Sequence, residues 1–232
     1  MSSPPHDQKS LEEKVARSQA RFKLPPGARE IILVRHGATL REDVRLELDG
    51  KSVTNPPLSP DGEVQAQAVT ARLAAEPITH IFVTPLQRTH QTAAPLATLK
   101  GLAPVVIPEM REIHLGDWEH ELHVRIASGD PAFQRAWNEE NWSHIPNAEN
   151  IDEITARVRA GIAKILAAME PDSVAVAFSH GVAIATTCHV ATGSRPFAFL
   201  AIENTGVSRL IVQKDGRWML RAFNDVSHLA PA

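Results

Sequence analysis

Short apolar runs alternate with longer amphipathic stretches along most of this chain. Residues 31–34, 81–83, 105–107 and 174–178 are runs rich in Val, Ile or Phe. Runs this short and continuous predict strands covered on both faces, as parallel strands are inside an α/β sheet. Helices are predicted between them. Residues 61–75 follow a Ser59-Pro60 start signal, and residues 151–169 place Ile151, Ile154, Val158, Ile162, Ile165 and Met169 on one face behind an Asn150/Glu153 cap. A further helix is expected over 182–192, and the chain closes on a predicted hairpin, 209–213 with 218–223, around Lys214-Asp215-Gly216. This order predicts an α/β fold: a three-layer αβα sandwich around a mostly parallel, doubly wound sheet, with residues 119–147 inserted as a cap.

The first 28 residues stand apart from that pattern. Ser10-Leu-Glu-Glu13 has the form of a capping box, and Leu11, Val15 and Phe22 fall on one helical stripe before Pro25-Pro26 ends it. Residues 1–28 are therefore expected to form an arm with a short helix, and residues 29–232 the main domain. Packing of the helix on the body is the favoured reading, because such stripes are usually core. An arm exchanged within a homodimer is the alternative.

Composition narrows the partners. Lys and Arg number 24 against 27 Asp and Glu, a formal net charge of −3 over 232 residues. Binding nucleic acid or an anionic membrane requires a basic face that this balance does not supply. With 43% hydrophobic residues the chain can bury a sizeable core, and wholesale disorder is excluded. It contains neither an apolar run of membrane-spanning length nor the apolar segment of a signal peptide, so a cytoplasmic location is expected. The single cysteine, Cys188, cannot form an internal disulfide and is read as a small core residue in an Ala/Thr-rich helix.

In a sheet of this kind ligands sit outside the carboxyl ends of the strands. Arg35-His36-Gly37 follows the first run, Arg88 comes just after the second, Glu112 just beyond the third, and Ser179-His180-Gly181 follows the fourth. Two Arg, two His and one Glu thus converge on one edge, a set suited to a phosphate monoester. Guanidinium groups at Arg35 and Arg88 would fork onto phosphoryl oxygens and stabilise the charge of transfer. A neutral His36 imidazole is a competent nucleophile for phosphorus, and the adjacent Arg35 disfavours its protonation. Its second ring nitrogen would donate to a backbone carbonyl, fixing the tautomer. Gly37 would leave room for a close backbone approach to ligand. Glu112 would protonate the leaving alkoxide and then act as base for water, and His180 would donate to a phosphate oxygen. The chemistry expected is covalent phosphohistidine catalysis with neither metal nor other cofactor.

Other groups compete for attention. Glu109, Asp117 and Glu119 are alternative proton carriers to Glu112. His114, His120 and His123 form a run of histidines without metal-site spacing, better read as surface residues. Trp118, Trp137 and Trp142 could wall a pocket or pack a cap, and Asn204-Thr205 reads as a turn before the final hairpin.

These segments carry a family resemblance. Leu33-Val-Arg-His-Gly-Ala-Thr39 resembles the LVRHGxT signature of the histidine phosphatase superfamily, in its phosphoglycerate mutase-like branch. Pro57-Leu-Ser-Pro-Asp-Gly-Glu-Val-Gln-Ala66 is similar to PLTxxGxxQA, Thr84-Pro-Leu-Gln-Arg-Thr-His-Gln-Thr-Ala93 to SPLxRxxQTA, and Glu-Ile-His-Leu-Gly-Asp-Trp-Glu119 to ExxxGxWEG. Ala177-Phe-Ser-His-Gly181 resembles the second-histidine segment, and Pro146-Asn-Ala-Glu149 is a looser match to PGGE. The segments run in family order from residue 30 to about residue 212. The resemblance implies phosphorylation of His36, phosphoryl binding by Arg35, Arg88 and His180 with contacts from Thr39 and Gly181, and proton transfer by Glu112.

Departures bear on the substrate. Glu42 stands at the spacing where the branch has a phosphate-contacting Asn, residues 40–57 make a longer loop, and His120 replaces a Gly. Three readings follow: a hydrolase of a small-molecule phosphate ester, a mutase returning the phosphoryl group to a substrate hydroxyl, or a phospho-ligand binding module. The full set of Arg35, His36, Arg88, Glu112 and His180 argues against the last. No Arg or Tyr follows Glu112, unlike the ERHYG form of mutase members, which favours the hydrolase. The cap residues Arg125, His123 and Arg135 leave a sugar phosphate, a nucleotide or a small acid phosphate open.

Overall fold

Strand β1 (Arg29–Arg35) sets the layers. Its residues Ile31 to Val34 are fully buried, so successive side chains need cover on opposite faces. In the computed structural model, which describes residues 22–229, both faces are covered. Ile31 and Leu33 pack with Ile154, Val158 and Ile162 of one long helix (Ile151–Ala168) and Ala183 and Ile184 of the next (Gly181–Thr192). Ile32 and Val34 pack with Val69 and Leu73 of α1 (Pro60–Leu73) and Ala93 and Leu96 of α2 (Gln87–Lys100). Helices lie on both faces of the sheet, which is the αβα arrangement expected. The arm helix expected from Ser10 to Pro25 lies outside the described residues up to residue 21, and its expected last turn is corrected, because residues 22–25 are not helical.

The main sheet also contains β4 (Ile78–Val83), β5 (Val105–Val106), β6 (Val174–Ser179), β7 (Val207–Val212) and β8 (Trp218–Asp225), in the order β5-β4-β6-β1-β7-β8. The first four in that order run parallel, β7 runs antiparallel to β1, and β8 runs antiparallel to β7. The closing hairpin therefore starts two residues earlier than its apolar pattern announces. The run at 105–107 is corrected: it gives a two-residue edge strand whose Val105 and Val106 are 48% and 45% exposed, because no strand among the described residues pairs beyond it. A separate hairpin, β2 (Arg45–Leu48) and β3 (Lys51–Thr54), fills the long loop after β1.

Local chemistry fixes the helix starts. The Ser59 hydroxyl accepts the Gly62 N–H at 3.2 Å with Pro60 in the first turn of α1. The inserted segment between β5 and residue 150 carries α3 (Leu122–Ala127) and α4 (Pro131–Asn138). Asn150 and Glu153 then close a reciprocal capping box on α5 (Ile151–Ala168). Helix α6 (Gly181–Thr192) starts directly after His180. Among the described residues no helix is long and apolar enough to cross a membrane.

Candidate active site

Register brings the two histidines together. Arg35 pairs with Ser179 across the parallel β1–β6 ladder, so His36 and His180 leave adjacent strands at the same level. Their rings lie 5.2 Å apart, and the exposures are only 7% and 0%. The end of β1 is held from both sides: His36 N–H donates to the Ser179 carbonyl at 3.0 Å, and Thr205 N–H donates to the Arg35 carbonyl at 3.0 Å. Asn204 Nδ2 donates to the His36 carbonyl at 2.9 Å. The Asn204-Thr205 turn, with Thr205 at φ +57°, thus braces the backbone of Arg35 and His36.

His36 Nδ1 lies 2.8 Å from the Gly37 carbonyl, the backbone partner expected, and Nε2 makes no hydrogen bond among the described residues. Burial first, then Arg88 and Arg35, hold the imidazole well below its ordinary protonation range, against the Gly37 carbonyl. His180 is likewise held well below its ordinary range, by burial and then by Arg88. Its Nε2 lies 2.8 Å from Thr84 Oγ1, and its Nδ1 is buried without a partner among the described residues. Arg35 Nε is also buried and unpartnered. Buried polar atoms are nearly always satisfied, and two bare nitrogens at the histidine pair leave room for a further partner there.

Arg88 enters from the first turn of α2 and donates through Nη1 to the Thr54 carbonyl at 2.9 Å. Burial brings its pKa down to about 10, with Glu112 and Glu119 opposing, so the guanidinium stays charged at neutral pH. Glu112 reaches the N-terminus of α6, where Oε1 accepts Val182 N–H at 3.0 Å and its own neighbour Ile113 N–H at 3.1 Å. Burial pushes its carboxyl above the ordinary range, against those two hydrogen bonds and the Arg88 and Arg35 charges. A Cβ placed on Gly181 would sit 3.7 Å from Glu112 Oε2 and 3.8 Å from Arg35 Nε, so that glycine lies between acid and guanidinium.

The rival acids have other partners. Glu109 pairs with Lys164 on α5, Asp117 accepts from Asn147 at 2.9 Å, and Glu119 accepts Thr54 N–H at 3.0 Å and Leu115 N–H at 2.9 Å. Thr39 forms an isolated bridge with Leu58 and lines a cavity of about 860 Å³ with Glu42, Thr54, Glu119 and His120. Glu42 is exposed there. A smaller cavity of about 150 Å³ lies against Arg88, Arg111 and Glu112, walled by Leu48, Val53, Leu86, Ile113, Leu115 and Leu122.

Several residues that serve the site carry no signal in hydrophobic pattern. Thr84 holds His180, Thr92 Oγ1 accepts Gly37 N–H at 3.0 Å, and Ser179 Oγ donates to the Met110 carbonyl at 2.7 Å, tying β6 to the Glu112 loop. Arg157 gathers that loop, donating to the carbonyls of Glu109 at 2.7 Å and Arg111 at 2.9 Å while pairing with Glu149. Gly37 is corrected. A Cβ there would meet the Gly62 carbonyl oxygen at 2.6 Å, so its bareness admits helix α1 and not a ligand. His114 is buried and accepts Gly116 N–H at 3.2 Å, while His123 is exposed on the cap. No group of three or more His, Cys, Asp or Glu among the described residues is placed to hold a metal ion. Trp118 and Trp142 are buried, whereas Trp137 is exposed against Phe133 and Phe197. Cys188 is buried, and its thiol is pushed up to about 12 by that burial.

A mostly parallel sheet thus carries two paired histidines, two arginines and a glutamate at its carboxyl edge, a set with the charge and donors to suit a phosphoryl group. Residues 31–226 match the family model of the histidine phosphatase superfamily (branch 1), and the chain belongs to that superfamily. A similar protein is the "Probable phosphoglycerate mutase GpmB" of Enterobacter sp. (strain 638), 31% identical over 211 residues, covering 88% of this chain and 96% of that protein. The mycobacterial glucosyl-3-phosphoglycerate phosphatase in complex with inorganic phosphate superposes with a TM-score of 0.69 at 27% identity, covering 87% of this chain and 100% of that chain. A phosphoglycerate mutase from Bacillus anthracis shares the fold, with a TM-score of 0.71 at 20% identity over 88% of this chain and 96% of that one.

Proposed function

We propose that this chain hydrolyses phosphate monoesters of small metabolites through a phosphohistidine on His36, without a metal ion. The observation that carries the reading is His36 itself. It is a neutral, buried imidazole whose Nδ1 is committed to a carbonyl and whose Nε2 is free beside two guanidinium groups. Nε2 attacks phosphorus as the ester P–O bond breaks, and Glu112 Oε2 gives its proton to the leaving alkoxide. Water then attacks the phosphohistidine, Glu112 takes the water's proton, the N–P bond breaks, and phosphate leaves. Arg35, Arg88 and His180 bind the phosphoryl oxygens, with Thr39 and Gly181 at the margin of the group. The charge of transfer is met by Arg35 and Arg88, the work a divalent cation does elsewhere.

A mutase reading is favoured by the names of the curated relatives. Against it, Ile113 and His114 follow Glu112 where mutase members have Arg and His, and Ile113 lines the small cavity beside Arg88 and Glu112. Two assays separate the readings. Turnover of p-nitrophenyl phosphate should persist in EDTA and collapse in His36→Ala. With 3-phosphoglycerate primed by 2,3-bisphosphoglycerate, free phosphate should accumulate faster than 2-phosphoglycerate. Metal-dependent turnover would overturn the mechanism, and faster isomerisation would establish the mutase.

A further inference from the structure

We propose that Thr84 sets the tautomer of His180, keeping the ring proton on Nδ1 so that this nitrogen donates to a phosphoryl oxygen. The inference deepens the phosphoryl-transfer reading and rests on it only for the identity of the anion. Thr84 follows β4 directly and is fully buried. Its Oγ1 is 2.8 Å from His180 Nε2, 3.2 Å from Thr89 Oγ1, and accepts Leu86 N–H at 3.3 Å. The Thr89 hydroxyl has the Leu86 carbonyl at 2.8 Å and the Thr84 carbonyl at 3.2 Å, and it accepts Thr84 N–H at 3.1 Å. Carbonyls only accept, so the Thr89 hydrogen is directed to them. Two acceptors remain within reach of the Thr84 hydrogen, Thr89 Oγ1 and His180 Nε2, and the shorter contact is to the ring.

A hydrogen donated to Nε2 requires a lone pair there. The ring is neutral among the site's cations, so its one proton then resides on Nδ1. Nδ1 is the atom that is buried without a partner, on a ring packed 5.2 Å from His36. The opposite tautomer would present a lone pair to the phosphoryl oxygens and repel them. Threonine adds a methyl group to the hydroxyl that serine offers at this position of the SPLxR-like segment, which stiffens χ1 and aims the hydrogen. Thr84 is thus a positioning residue: it touches no reacting atom and acts through His180.

Long-range proton–nitrogen NMR correlations of the free protein, with His180 assigned by its loss in His180→Gln, read the tautomer directly. The expected result is an Nδ1–H ring, and an Nε2–H ring overturns the proposal. This measurement needs no substrate, so its failure is separate from any failure of p-nitrophenyl phosphate to turn over. In Thr84→Val, kcat/KM should fall roughly tenfold or more, and orthovanadate inhibition should weaken by more than phosphate inhibition, because the contact matters most where charge develops. Thr84→Ser should stay within about twofold of the wild type, since the hydroxyl is kept. In a His180→Ala background, Thr84→Val should cost nothing further, because a residue acting through His180 has nothing left to act on. An equal loss in both backgrounds overturns the proposal, as does a Thr84→Ser chain as impaired as Thr84→Val.

Discussion

At His36, burial and two guanidinium groups act in the same sense, and only the Gly37 carbonyl opposes them. At Glu112, burial wins over two backbone N–H donors and the same two arginines. The proposed mechanism needs an unprotonated His36 and a protonated Glu112, and both shifts run in that direction. The profile of kcat/KM should rise through the depressed His36 value, below the ordinary imidazole value of about 6.5, and fall through the raised Glu112 value, above the ordinary glutamate value of about 4.3. Replacing Glu112 with Gln removes the group that titrates on the alkaline side. That limb should vanish, and an alkyl phosphate should slow by roughly a hundredfold more than p-nitrophenyl phosphate, whose leaving group needs little help. Equal slowing of the two esters would take the proton transfer away from Glu112. The expectation is specific to this carboxylate, because Glu119 is engaged by Thr54 and Leu115 and Glu109 by Lys164.

Between elements, the site depends on how closely helix α1 approaches the loop after β1. A Cβ on Gly62 would lie 2.0 Å from the Ala38 carbonyl oxygen, and Ser59 N–H donates to that same carbonyl at 2.9 Å. Gly62→Ala sets backbone against a side chain, with no flexible neighbour to give way. It should lower stability by about 1–3 kcal/mol, the range for overpacking, and depress kcat/KM by displacing the His36 loop. A urea midpoint and activity both at wild-type level would contradict this. The same contact shows where sequence reading stops. Gly37 is legible as a place of close approach, but its partner comes from residue 62, and only the folded chain reveals that a helix fills the space. Helix α2 is unannounced because its buried positions include Arg88, Thr89 and Thr92, polar residues that break the apolar period. The β2–β3 hairpin is similarly silent, with short strands that are half exposed.

For the whole molecule, strand positions were readable where both faces are covered, since a doubly covered strand is a continuous apolar run, as β1 and β6 are. The five candidate residues were nominated because each follows an apolar run in a motif of its own. The network that supports them, Arg157 with Glu149, Thr84 with His180 and Asn204 with the His36 carbonyl, joins residues distant in sequence and leaves no periodic trace. Two buried neutral imidazoles also couple the site to global stability. Each has a folded pKa below its unfolded value, so from about pH 6.5 downward the unfolded chain takes up protons that the folded chain refuses. Stability contributed this way is present above about pH 6.5 and is lost as pH falls, by up to about 1.4 kcal/mol per pH unit for each histidine. Glu112 works in the opposite direction, since its raised folded pKa makes the folded state the better proton binder above about pH 4.3. One carboxyl opposes two imidazoles, so the histidines decide the sign between about pH 6.5 and pH 4.5. The urea midpoint should therefore drop between pH 7 and pH 5, and His36→Asn with His180→Asn should flatten that dependence. A midpoint that stays level in the wild type over this interval would mean that the two rings are solvated enough to take up protons in the folded state, and the neutral nucleophile would be lost with them.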